Sequence, residues 1–262
     1  MEDAPKPYKS QAIETPNGTF FARIYGHGPE YALAIHGFAQ DGSYFETLSQ
    51  QFPQLSICAV DLPWHGETTW NKETFGLRDF DPIIKFLLDE GPIHLIGFSL
   101  GARIALTLSQ VHPRLTKSIL LLSPDGISGP YKMLTEYVPQ SWRRGIQGLL
   151  SQPDWLLDAS GFLYKNGWLK KFPHYFAQKH LKNPKQRERL FRCWQSLPNF
   201  PVILGANVET PTTIIVGARD HLIRLEALRK FVQPLQQCKL TVIDRGHNLL
   251  PLPPDLGLFT TP

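Results

Sequence analysis

The chain has little cysteine, no uninterrupted long apolar run and no strong charge of either sign, and each shortage removes a class of protein. Its 262 residues include three cysteines, Cys58, Cys193 and Cys238, odd in number and widely separated. That set excludes the disulfide framework of a small secreted domain and has no metal-ligand spacing. Cys58 and Cys238 lie in or beside apolar strand-like runs, which predicts free, buried thiols in a reducing compartment. The N-terminal MEDAPKPYKSQ is polar and lacks the apolar segment of a secretory signal. The most apolar long window, Ile93 to Val111, is interrupted by His94, Arg103 and two glycines, so it reads as core and not as a membrane span. The expectation is a cytoplasmic protein with no stable membrane insertion. The net charge of +4, from 27 basic and 23 acidic residues, is unremarkable, and no nucleic-acid partner is expected. No internal repeat or low-complexity tract is present.

The length suits one domain, or one domain with a large insertion. Asn17-Gly18 in the turn Thr15 to Gly18 predicts an N-terminal hairpin between QAIE and TFFARIY. Strands are expected at Tyr31 to Ile35, Leu55 to Val60, Ile93 to Ile96, Ser118 to Leu122, Thr213 to Val216 and Lys239 to Ile243. Helices are expected at Tyr44 to Gln51, Leu77 to Asp89, after Ser99, and at Arg224 to Val232; Phe80, Ile83, Ile84, Leu87 and Leu88 give the second of these a 3.6-residue period. Such alternation implies a mostly parallel sheet with helices on both faces and ligands at the C-terminal strand ends. Residues 126–209 break it. They contain helix-like pieces broken by Pro139, Pro153, Pro173, Pro184 and Pro198, and between Ile127 and Thr210 twelve Lys or Arg stand against five Asp or Glu, with four of the six tryptophans. Residues 1–125 and 210–262 are therefore read as the core and 126–209 as an inserted helical unit. Pro251, Pro253 and Pro254 exclude a long helix at the C-terminus. An irregular tail packed by its leucines is expected, with a homodimer partner as one way of ordering it.

The most informative stretch is IHLIGFSLGARIALTLSQ, Ile93 to Gln110, where a strand-like run gives way to a helix-like one around Gly97, Phe98, Ser99, Leu100 and Gly101. A serine between two glycines at such a junction has the form of a nucleophile elbow, with its hydroxyl thrown clear of the backbone beside the first helix amides. Taken alone, the pattern also fits a buried Gly-Ser turn without chemistry. Its partners weigh against that reading. Asp220 ends the run TTIIVGARD, and His247 follows the next, LTVIDRGHN.

The order Ser, Asp, His, with acid and base each following a β-run, resembles the α/β-hydrolase superfamily. YALAIHGF, Tyr31 to Phe38, is similar to its strand ending in a His-Gly oxyanion turn. CAVDLPWHGET, Cys58 to Thr68, is similar to its D-x-P-G-x-G-x-S loop, with Trp64 where the first loop glycine is usual. The resemblance implies an α/β-hydrolase fold with a helical cap inserted before the last two strands, and a Ser99, His247, Asp220 triad. Ser99 would attack a carbonyl, His247 would take its proton, and Asp220 would orient the imidazole. The backbone amides of Phe38 and Leu100 would form the oxyanion hole. No metal or cofactor is implied. Asp125, in SPDG after the preceding strand, is a rival acid in the position some relatives use; Asp244 is expected to cap the turn before His247. His36 reads as the structural histidine of the oxyanion turn.

Arg103, one helical turn after Ser99, gives S-L-G-x-R, which resembles the menaquinone-pathway SHCHC synthase, a lyase on the same fold. In that reading Arg103 and Phe98 are substrate-binding residues for a carboxylated substrate, although the residue before the serine is tyrosine in that family. The alternative for Arg103 is a structural pairing with a carboxylate on the cap. The basic, aromatic cap reads as a lid over an acyl pocket, a surface for anionic lipid, or a solvated helical face. The expectation is a serine hydrolase cleaving a small-molecule carboxylic ester or thioester through an acyl-enzyme. SHCHC-type lysis and ligand reception without catalysis are the alternatives.

Overall fold

A computed structural model of the protein describes residues 7–88, 91–127, 145, 154–169, 171–202 and 210–259. It divides the chain into two compact units, residues 1–129 with 199–262, and residues 130–198. The larger unit therefore resumes at Asn199, ahead of the boundary read from composition. Phe200 explains the early return: it is fully buried, with its ring 5.1 Å from Phe75 and 6.2 Å from Phe80.

The larger unit is built on one sheet. Its strands are β1 (Lys9–Thr15), β2 (Gly18–Tyr25), β3 (Glu30–Ile35), β4 (Leu55–Val60), β5 (Thr69–Trp70), β6 (Ile93–Phe98), β7 (Thr116–Leu122), β8 (Thr212–Gly217) and β9 (Cys238–Ile243). They run in the order β1-β2-β4-β3-β6-β7-β8-β9, with β5 paired to β2. From β4 to β9 every pairing is parallel, while β1, β2 and β5 pair antiparallel. All residues of β4 and β6 are buried, as expected where helices cover both faces of a parallel sheet. Its helices are α1 (Glu46–Gln51), α2 (Asp81–Leu88), α3 (Leu100–Val111) and α7 (Leu225–Val232).

Two prolines move element boundaries from where periodicity puts them. Thr15 pairs with Gly18, so Pro16 and Asn17 form the hairpin loop, and the Asn-Gly step sits one residue later than a central pair would. Pro16, with no N–H to give a ladder, suits the loop better than the strand. Pro82 likewise favours the first turn of a helix. The expected helix from Leu77 is in fact a 3-10 turn over Leu77–Phe80 followed by α2 from Asp81; Asp89, its expected end, lies outside the described residues.

After β9 the described chain is irregular to Phe259. Leu249, Leu252 and Leu258 are buried in the same cluster as Tyr25, Phe45 and Phe98, so the tail is packed by this chain's own core. Gln51 clamps it: Nε2 donates to the Leu252 carbonyl at 2.7 Å, and the Leu252 amide donates back to Oε1 at 3.1 Å.

In the smaller unit the described elements are α4 (Asp154–Lys165), α5 (Lys171–Leu181) and α6 (Pro184–Ser196). Asn183 caps α6 by accepting from the amides of Lys185 and Gln186, with Pro184 at the first helical position. Stacked rings of Tyr164 and His174, 4.6 Å apart, join α4 to α5. Trp142, Pro139 and Pro153, counted in the sequence reading of this unit, lie outside the described residues. Among the described residues no helix is long and apolar enough to cross a membrane. Cys58 and Cys193 are buried and Cys238 half-buried, all three free, and burial pushes their thiols up to about 12, 12 and 11.

Candidate active site

The site begins with one strained residue. Between the end of β6 and the start of α3, Ser99 adopts φ 51° and ψ −113°, a conformation that L residues rarely occupy. Strain persists where the surroundings over-determine it. Here the Ser99 amide donates to the Leu122 carbonyl at 2.9 Å, and the Ser99 carbonyl accepts from the amides of Ala102, Arg103 and Asp125 at 3.1, 3.2 and 3.1 Å. The flanking glycines follow from close approach. A Cβ on Gly97 would lie 2.4 Å from the Ala102 Cα, and one on Gly101 would lie 1.9 Å from the Ile35 carbonyl oxygen. Only glycine lets α3 start this close to the end of β3.

Ser99, Asp220 and His247 are brought together. His247 Nδ1 lies 2.8 Å from Asp220 Oδ2, and His247 Nε2 lies 3.1 Å from Ser99 Oγ. Because a carboxylate only accepts, Nδ1 carries the proton, which leaves Nε2 to accept from the serine hydroxyl. The Asp220 side chain is fully buried, and its Oδ1 accepts from the amides of Leu222 and Ile223 at 2.9 and 3.2 Å. Burial alone would raise the Asp220 pKa. The hydrogen bond and charge of His247, with the Leu222 amide, outweigh it and hold the carboxyl below its ordinary value.

Asp125 touches the site through its backbone amide on Ser99, and His247 takes Asp220 as its partner. Asp244 does not cap the turn through its side chain; its carboxylate pairs at the surface with Arg219, 3.2 Å away, because that guanidinium reaches it from the β8 side. Phe98 is buried, with its ring 5.1 Å from the His247 ring and 4.6 Å from Tyr44. A Cβ on Gly37 would lie 2.8 Å from that ring, so Phe98 fills the space between the oxyanion turn and the histidine. Arg103 is 1% exposed and its Nε donates to the Phe200 carbonyl at 2.9 Å. That contact ties α3 to a backbone carbonyl of the larger unit itself.

The turn that carries Phe38 is braced by two histidines. The Leu62 amide donates to His36 Nε2 at 2.9 Å, so the proton sits on Nδ1, which donates to the Gly37 carbonyl at 2.7 Å. Burial pushes His36 down to about 4, which keeps that acceptor free of a proton. His65 repeats the arrangement: Nε2 accepts from the Ala39 amide at 3.2 Å and Nδ1 lies 2.9 Å from the Pro63 carbonyl. Beneath them Asp61, fully buried, accepts from the amides of Gly42 and Glu67 at 2.7 and 2.8 Å and from the Arg23 guanidinium. Leu100 is the first residue of α3, where an amide has no acceptor within its own helix. Sequence reasoning did not single out Arg23. Arg23 interrupts an apolar strand, which was the available signal.

Comparison with known proteins agrees with this architecture. Over 257 residues the chain is 22% identical to the poly(3-hydroxyalkanoate) depolymerase of Ectopseudomonas oleovorans, covering 94% of this chain and 88% of that protein. It is 26% identical over 132 residues to lipase LipV of Mycobacterium tuberculosis, covering 49% of this chain and about half, 47%, of that protein. Among solved structures, the thioesterase domain from the curacin biosynthetic pathway superposes with a TM-score of 0.66 at 20% identity, covering 93% of this chain and 95% of that one. A family model described as the alpha/beta hydrolase family matches residues 32–256. The chain belongs to the alpha/beta hydrolase family.

Proposed function

We propose that the protein is a serine hydrolase that cleaves a carboxylic ester or thioester with an apolar acyl part, using Ser99, His247 and Asp220. One observation carries the reading: an unbroken chain of contacts, 3.1 Å from Ser99 Oγ to His247 Nε2 and 2.8 Å from Nδ1 to a buried carboxylate. In the proposed reaction Ser99 Oγ attacks the substrate carbonyl while its proton passes to His247 Nε2. The imidazolium formed is stabilised by ionised Asp220, and the oxyanion is held by the amides of Leu100 and Phe38, each donor contributing about 3 to 4 kcal/mol of barrier lowering. His247 then protonates the leaving alcohol or thiol. An acyl-Ser99 remains, and a water deprotonated by His247 hydrolyses it. The relatives named a lipase and a poly(3-hydroxyalkanoate) depolymerase support an ester substrate.

The test is labelling of the purified protein with a fluorophosphonate probe, alongside turnover of p-nitrophenyl acyl esters from acetyl to octanoyl. Wild type should label at Ser99. Ser99→Ala should lose labelling and lower turnover by roughly 10³-fold or more without loss of folding. Each methylene buried with substrate contributes about 0.8 kcal/mol, so kcat/KM should rise several-fold per two carbons until the acyl site is full. Labelling that survives in Ser99→Ala would place the nucleophile elsewhere.

A further inference from the structure

Asp220 has one acceptor position to spare. An ionised carboxylate offers about four. Two are taken at Oδ1 by the amides of Leu222 and Ile223, and a third at Oδ2 by His247 Nδ1. The side chain is fully buried, so bulk water does not reach the fourth.

Ser123, directly after β7, has the complementary deficit. It is fully buried, its φ is 44°, and its hydroxyl has no well-formed hydrogen bond. Glycine would avoid both the strained backbone and the orphan hydroxyl, so packing alone does not account for a serine. The same backbone lattice fixes Ser123 and the nucleophile: the Ser123 amide donates to the Ile215 carbonyl at 2.8 Å, and the adjacent Leu122 carbonyl accepts from Ser99 at 2.9 Å. Burial works against charge on Asp220, and after His247 and the Leu222 amide the Ser123 hydroxyl is a further group favouring the charged form.

We propose that Ser123 is a positioning residue whose hydroxyl donates to the free acceptor position of the Asp220 carboxylate and holds it in register with His247. The inference rests on Asp220 being the acid of the proposed triad. Hydrogen bonds of this kind are often misaligned in a ligand-free site and tighten as charge develops on the histidine. No proton is transferred from Ser123. It keeps the carboxylate from turning as the imidazolium forms and is lost.

The experiment compares full-length wild type, Ser123→Ala, Ser123→Gly, Asp220→Asn and the double variant Ser123→Ala/Asp220→Asn, with p-nitrophenyl butyrate as substrate. A hydrogen bond to a charged group corresponds to a factor of about 10 to 100, so Ser123→Ala should lower kcat by that factor, with KM within about twofold. Its thermal midpoint should hold within a few degrees, because the bond lost to Asp220 is offset by removal of a buried, poorly aligned hydroxyl. Ser123→Gly also relieves the left-handed backbone; it should be at least as stable as wild type and equally slow, which separates positioning from folding. In the Asp220→Asn background Ser123→Ala should change kcat less than about twofold, since the pair acts as one unit. Asp220→Asn crippled with Ser123→Ala unchanged, or fully additive losses, would overturn the inference and leave the triad standing. Near-normal turnover in Asp220→Asn would overturn the triad reading and this inference with it.

Discussion

Trp64 holds a backbone position that relatives usually give to glycine, and its φ of 63° explains why glycine is usual there. Such a conformation costs a non-glycine residue about 1 to 3 kcal/mol. The indole offsets it by packing on Phe75, centroids 5.7 Å apart, which in turn meets Phe200. Removing a packed tryptophan costs about 3 to 5 kcal/mol when it is fully buried. Trp64→Gly should therefore destabilise by a net of about 1 to 3 kcal/mol in urea denaturation, strain relief being the smaller effect; a stabilised variant would show that the ring contributes little. The two candidate acids separate at the same scale. Asp220→Asn removes the carboxylate charge and introduces an NH2 donor that no longer fixes the His247 tautomer, so it should cost about 10⁴-fold in kcat, whereas Asp125→Asn keeps the amide that bonds Ser99 and should cost far less. Steady-state kinetics with p-nitrophenyl butyrate decides this, and the reverse ranking would move the acid to the loop after β7.

The elbow is an element-scale device, since it works only if β3, β6 and the start of α3 approach closely. With its missing Cβ position 1.9 Å from the Ile35 carbonyl oxygen, Gly101 cannot become alanine unless α3 backs away. Misplacement of reacting groups by about 1 Å can cost on the order of 10²-fold, so Gly101→Ala should lose at least that in kcat/KM and also lower the melting temperature. Gly161 in α4 is the opposite case. A Cβ there meets nothing within 4 Å, so Gly161→Ala should raise stability by about 0.5 to 1 kcal/mol at unchanged turnover. The contrast also explains what could be read from sequence. The elbow was legible because its glycines, its serine and the change of hydrophobic period are contiguous. β5 was not, because a two-residue strand owes its pairing with β2 to the loop that delivers it. The braces of the oxyanion turn were legible only in part. His36 could be named from its motif, but its partner is the Leu62 backbone, and Asp61 meets Arg23 across 38 residues; no local pattern encodes such contacts.

At the scale of the whole molecule, the order of serine, aspartate and histidine was legible because parallel strands put successive loops at one end of the sheet. Which of its groups the fold keeps uncharged was not, because that depends on burial. His36 is fully buried and pushed down to about 4, and burial also lowers His94 against the opposing pull of Glu30. In the unfolded chain both titrate near an ordinary value of about 6.5. As pH falls below that value the unfolded chain takes up protons that the folded chain refuses. Stability is therefore fully present above about pH 6.5 and declines toward about pH 4, by on the order of 3 kcal/mol for His36. The carboxylates act in a lower window. Asp220, Glu30 and Asp41 all lie below their ordinary values, so their contributions persist above about pH 4 and are lost only beneath it. Urea denaturation of wild type should thus give a steadily falling free energy from pH 7 to 4.5. His36→Gln keeps an acceptor for the Leu62 amide but does not titrate. It should be less stable than wild type at pH 7, with a flatter profile, so that the two converge at pH 4.5. Equal wild-type stability at both pH values, or an unchanged slope in His36→Gln, would mean that protonation of this histidine does not limit the fold in acid.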